Sequence, residues 1–148
     1  MEGRTYRYMK GKAQYPFGYG LTYGQVCVKA AELTGAVEEG KELTIKAMVE
    51  NSGKYDTDDV IQVYIKDLDS KNAVPNHSLC AFKRVSLKAG EEKTVELTVS
   101  NKAMNVVDEE GNRYIAGERF KLFAGVSQPD ARSTELTGHQ PMEVEVTL

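Results

Sequence analysis

Between Glu42 and Glu50 every second residue is apolar: Leu43, Ile45, Ala47 and Val49 alternate with Thr44, Lys46, Met48 and Glu50. A period of two puts one set inward and the other outward, which predicts a half-buried antiparallel strand. Asn51-Ser52-Gly53 ends it with turn chemistry. The pattern returns over Asp59 to Lys66, with Ile61, Val63 and Ile65 on one face. The opposite face carries Val60, Gln62 and Tyr64, more apolar than a solvent face usually is. Lys93 to Ser100, Arg119 to Val126 and Glu143 to Leu148 alternate in the same way, and Gln25 to Leu33 opens the series with Val26 and Val28 inward. In Leu79 to Leu87 the phase slips at Phe82, which predicts a bulge or corner there. Met104 to Val107 and Asn112 to Ile115 flank Asp108-Glu109-Glu110-Gly111, a hairpin with Gly111 at positive φ. Asp67 to His77 and Gln128 to Gln140 read as loops, and no segment has a convincing helical period. Seven or eight short strands separated by turns predict an all-β, antiparallel β-sandwich.

One stretch stands outside this pattern. Tyr15-Pro16-Phe17-Gly18-Tyr19-Gly20-Leu21-Thr22-Tyr23 combines aromatic rings with residues that break regular structure. Flexible linkers are rich in Gly and Ser and poor in aromatics. This segment is therefore a shaped connector whose rings need a surface to pack on. Residues 3–12 lack a hydrophobic partner nearby and resemble the tail of something else. The expected division is a remnant of a preceding domain at 1–14, the connector at 15–24 and the sandwich at 25–148.

A chain of 148 residues fits one domain with a sizeable core. The net charge of −3 argues against nucleic acid as a partner, since such binding needs a clustered basic face. No apolar run is long enough to predict a membrane helix. Cys27 and Cys80, both at outward positions by alternation, are expected to be unpaired thiols.

With the elements in order, the motifs resemble those of glycoside hydrolase family 3. Tyr15 to Tyr23 looks like its interdomain linker. Val49-Glu50-Asn51-Ser52-Gly53, Asp59 to Ile65, Phe82 to Glu91, Asp108 to Asn112 and Ala116-Gly117-Glu118 resemble its C-terminal fibronectin type III-like, immunoglobulin-like sandwich. Gly3-Arg4-Thr5-Tyr6-Arg7-Tyr8 resembles the end of the preceding α/β domain of β-glucosidase and β-xylosidase members. Ala81 and Ala116 depart from the family's usual glycine and proline. The resemblance implies a non-catalytic accessory domain of an enzyme that hydrolyses terminal β-glucosidic or β-xylosidic bonds. The family's nucleophile and general acid lie on other domains, so no catalytic residue transfers to this chain. The implied partners are the barrel and α/β domains of the same polypeptide. A bacterial cytoplasm is the expected compartment, with secretion or a periplasm as alternatives.

The residue chemistry adds little to this. A retaining glycosidase needs two carboxylates with separated pKa values, and the acidic residues here fall in turns or at outward positions. Asp56, Asp58 and Asp59 do not have the spacing of a calcium loop, and no metal or cofactor is expected. His77 and His139 read as surface-loop residues, and Asn76-His77-Ser78 is a glycosylation sequon. Without tryptophan, a flat sugar platform would fall to Tyr55, Tyr64 or Phe123, so oligosaccharide contact is not indicated. The alternative reading is a free-standing β-sandwich module that binds glycans or proteins. The residues expected to pack against neighbouring domains are Tyr15, Pro16, Phe17, Tyr19, Leu21, Tyr23, Val60 and Tyr64, the last two as an exposed docking face.

Overall fold

A computed structural model describes residues 2–148. The alternating segments form β1 (Val26–Thr34), β2 (Leu43–Asn51), β3 (Thr57–Asp67), β4 (Ser78–Leu87) and β5 (Glu92–Val99). The short hairpin strands β6 (Asn105–Val107) and β7 (Arg113–Ile115) follow, then β8 (Arg119–Gly125), the helix α1 (Ala131–Thr137) and β9 (Met142–Thr147). One sheet has the order β1-β2-β5 and the other β4-β3-β8-β9, and every pairing is antiparallel. This is the all-β sandwich the alternation predicts, with β6 and β7 as a separate hairpin. Gly111 turns that hairpin at φ 89°. No helix among the described residues is long and apolar enough to cross a membrane.

The core is the inward set of both sheets. Ile45, Ala47 and Val49 of β2 share one core with Ile61 and Val63 of β3, Val99 of β5 and Leu122 of β8, all fully buried. Each Val, Ile or Leu among them contributes about 1.5–3 kcal/mol by leaving water. The turn after β2 is held by one side chain. Asn51 is fully buried, and its Oδ1 accepts from Gln25 N at 3.1 Å and Gly53 N at 3.0 Å. Its Nδ2 donates to Tyr55 O at 2.8 Å and Lys88 O at 3.2 Å. One amide thus ties the start of β1, the turn before β3 and the end of β4 together.

Four sequence expectations are corrected. The bulge in β4 falls at Cys80, not Phe82: Val63 pairs with Ala81 and Tyr64 with Leu79, leaving Cys80 as the extra residue. The bulge turns the Cys80 thiol inward, where it donates to Val63 O at 3.2 Å and burial pushes it up to about 12. Cys27 is also not outward in effect. It points away from the core, but residues 125–128 and 133–141 cover it and raise its pKa by burial. Both cysteines are free thiols, as expected. The segment read as a loop at 128–140 contains α1. Its N-cap is Asp130, whose side chain accepts from Ser133 N at 2.6 Å, and Gly138 ends it at φ 77°. A seven-residue helix is too short to show a period, and its cap is the legible signal.

Candidate functional site

The outward face of β3 is where the chain departs most from a plain sandwich. Residues 5–18 fold back across it as a strap. Tyr6 and Phe17 stack face to face, ring centroids 4.1 Å apart at 5°. Tyr64 lies beside this stack and nearly perpendicular to both rings, at 6.2 Å and 80° to Tyr6 and 6.4 Å and 85° to Phe17. Such edge-to-face contacts are the preferred aromatic geometry. Tyr64 is consequently fully buried, and burial raises its phenol pKa. Its hydroxyl donates to Gln62 Oε1 at 2.6 Å, while Gln62 Nε2 donates to Gly18 O at 2.9 Å and Val126 O at 3.1 Å.

Polar contacts fasten the strap along its length. Thr5 sits at φ 60°, and its carbonyl accepts from Tyr8 N and Met9 N, closing a tight turn. Asn76 Nδ2 donates to Tyr6 O at 2.8 Å and Met9 O at 2.9 Å, and Asn76 N donates to Arg7 O at 3.1 Å. Leu79 N donates to Tyr6 Oη at 2.8 Å. At the other end, Phe17 O accepts from Gln128 N at 3.0 Å, and Arg132 Nε donates to Gln14 O at 3.2 Å.

His77 lies under the strap, not on the surface. Its ring meets Tyr64 at 5.3 Å and 87°, with Tyr6 and Phe123 further out. Burial pushes its pKa down to about 4, opposed by the Asp130 carboxylate and assisted by the Lys66 ammonium. Between the strap and the Asn76–His77 and Gln128–Asp130 segments runs an open cleft of about 620 Å³. His77 Nε2 and Gln128 Oε1 line it, buried and without hydrogen-bond partners.

The expected packing residues divide into two groups. Pro16 is buried, and Phe17 and Tyr64 are engaged with Tyr6. The exposed docking face expected at Val60 and Tyr64 is corrected: the chain's own strap covers Tyr64, and Val60 is half-buried beside it. Tyr15 packs parallel to Tyr19 at 6.1 Å and stays 68% exposed. Leu21 and Tyr23 are 91% and 90% exposed, although Thr22 between them bonds to Thr57 through their hydroxyls. Tyr6, Gln62, Asn76 and His77 were not legible as site residues. Gln62, a polar residue on the most apolar outward face, was the available signal.

The acidic residues behave less uniformly than expected. Asp58 is held below the usual range by hydrogen bonds from Ser86 and Arg84, whereas burial raises Asp59. As neighbours on one strand they point to opposite faces and cannot flank one bond. Among the described residues no group of three or more His, Cys, Asp or Glu is placed to hold a metal ion.

Comparison with known proteins fits this architecture. Residues 59–128 match the fibronectin type III-like domain model. A xylan 1,4-β-xylosidase of Xylanibacter ruminicola is 34% identical over 93% of this chain and 16% of its own length. A periplasmic β-glucosidase of Salmonella typhimurium is 31% identical over 76% of this chain and 15% of its own length. The crystal structure of a β-glucosidase from Listeria innocua superposes with a TM-score of 0.74 at 28% identity, covering 90% of this chain and 17% of that one. The chain spans about a sixth of the length of the curated relatives it matches. Its sandwich belongs to the fibronectin type III-like domains that form a small part of glycoside hydrolase family 3 β-glucosidases and β-xylosidases.

Proposed function

We propose that this chain is a non-catalytic accessory domain that packs against the barrel and α/β domains of its own polypeptide. That polypeptide would hydrolyse terminal β-glucosidic or β-xylosidic bonds. In this reading residues 1–14 continue from the α/β domain, 15–24 are the connector and 25–148 the sandwich. The observation that carries it is the state of the connector. Leu21 and Tyr23 are anchored by the intervening Thr22 yet about nine-tenths exposed. Two large apolar side chains held out on an anchored backbone are what a packing surface looks like before its partner is in place. The correspondence to about a sixth of much longer glycosidases supports the same reading. Pro16, Phe17 and Tyr64 serve within this chain and Tyr15 packs on Tyr19, so the contact falls to Leu21 and Tyr23.

The test joins the chain to its polypeptide's other domains. Replacing Leu21 and Tyr23 by serine lowers the melting temperature of the joined protein by several degrees and leaves the isolated chain's unchanged. Equal melting of the joined variant and its parent would refute the packing role.

A further inference from the structure

The cleft beside the strap has features that the packing role does not use. Its floor holds two neighbouring polar side chains, Gln128 and His77, whose contact leaves Gln128 Oε1 and His77 Nε2 buried without a well-formed hydrogen bond. Gln128 is only 7% exposed, and its amide nitrogen is already committed to Asp130. Buried polar groups in native structures are almost always paired, and exceptions lining an opening call for a ligand or water. The Lys66 ammonium lines the same opening. At its mouth stands Tyr15, stiffened by Tyr19 and with most of its surface free. The volume of about 620 Å³ lies within the range of small-molecule sites.

We propose that this cleft is a non-catalytic site for a short β-linked glucose or xylose oligosaccharide. A pyranose offers hydroxyl groups that donate and accept side by side, and an apolar face of C–H bonds. Gln128 Oε1 accepts from one hydroxyl. His77 Nε2 and Lys66 Nζ engage its neighbours, the imidazole in whichever tautomer the hydroxyl selects. The C–H face lies on Tyr15, whose aromatic body and polar tip suit a half-wet site. Most of the lining is uncharged; of its charged groups, Lys10 is paired with Glu2, and Lys66 and Asp130 carry opposite charges, which suits a neutral sugar. The choice of glucose or xylose rests on the function proposed above; the existence of the site rests on the cleft alone.

The experiment is a chemical-shift titration of the full chain with cellobiose and xylobiose, with sorbitol as an acyclic control. The expected result is saturable shifts at Gln128, His77 and Tyr15 with at least one disaccharide and none with sorbitol. Tyr15→Ala, at an exposed ring, keeps the fold and weakens binding by about tenfold; Gln128→Leu weakens it as much. If Gln128→Leu does not fold, Tyr15→Ala alone decides. The proposal is overturned by no saturable shift with either sugar, by equal shifts with sorbitol, or by unchanged affinity in Tyr15→Ala. It is also overturned if joining the other domains shifts the same residues without sugar, since the cleft is then a protein contact. Failure of sugar binding would leave the Leu21 and Tyr23 melting result intact, so the two readings fail separately.

Discussion

Tyr64 Oη donates to Gln62 Oε1 at 2.6 Å, and through that glutamine the outer face of β3 grips the backbone of the strap at Gly18. The bond lies between residues two apart on one strand. It pre-orients the Gln62 amide so that its nitrogen points at Gly18 O and Val126 O. Tyr64→Phe should therefore cost about 1 kcal/mol in urea unfolding, the net worth of one hydrogen bond, with the strap still docked.

Gly18 is the closest point of approach. Its φ is 78°, and a Cβ there would press into Gln62 Oε1 and lie 2.7 Å from Tyr64 Oη. Gly18→Ala is expected to lose about 1–3 kcal/mol from strain at a left-handed position plus the clash. Urea unfolding gives the cost, and faster amide exchange at Leu79, whose N–H bonds to Tyr6 Oη, reports that the strap has lifted.

Asn51 makes the sandwich depend on one amide. Asn51→Ala strands Gln25 N, Gly53 N and Tyr55 O together, for an expected loss of about 3 kcal/mol by equilibrium unfolding. Asn51→Asp should do no better. It keeps an acceptor for the two N–H groups but turns a second oxygen toward Tyr55 O and Lys88 O.

Asn76 fastens the strap with both protons of one amide nitrogen, on Tyr6 O and Met9 O. Asn76→Asp sets a carboxylate oxygen against those carbonyls and should release residues 5–9, seen as loss of near-ultraviolet tyrosine dichroism. A glycan on Asn76 would consume one of the same protons, so glycosylation of this sequon and the docked strap are mutually exclusive.

His77 gives the strap a pH dependence. Its pKa of about 4 in the folded chain lies below the ordinary 6.5. Above pH 6.5 the ring is neutral in both states and stability is full. As pH falls through 6.5 toward 4 the unfolded chain binds the proton first, so stability declines across that window. Lys66 deepens the shift, while Asp130 and the Gln128 side chain reduce it. Asp59, whose pKa burial raises, works in the opposite direction. The readout is therefore the difference between the parent and His77→Phe: the parent's urea midpoint falls more steeply between pH 6.5 and 4. Parallel curves would show that the ring protonates in place.

The sandwich itself was legible because it is a local property. The alternation in β2, β3 and β5 specifies which face is buried, and the two-sheet solution follows from having two such sets. The Gly111 hairpin and the free thiols were legible for similar reasons. The β4 bulge was misplaced by two residues, because either Cys80 or Phe82 can absorb one extra residue and only pairing with β3 selects between them.

The strap required the tertiary structure. In sequence Tyr6, Phe17, Tyr64 and His77 are four separated rings, and Tyr64 is an apolar residue at an outward position. Alternation states only that it points away from the core, not what lies above it. What covers it is decided by contacts between residues as far as 118 positions apart, such as Asn76 with Tyr6 and Arg132 with Gln14. Such pairings leave no periodic trace. The sequence by itself determined a two-sheet sandwich and a connector whose rings need a surface. Only the folded chain decided that one ring of that connector, Phe17, finds its surface on the chain's own Tyr64, while Leu21 and Tyr23 do not, because hydrophobic and hydrogen-bonding groups take whichever partners the completed fold brings within reach.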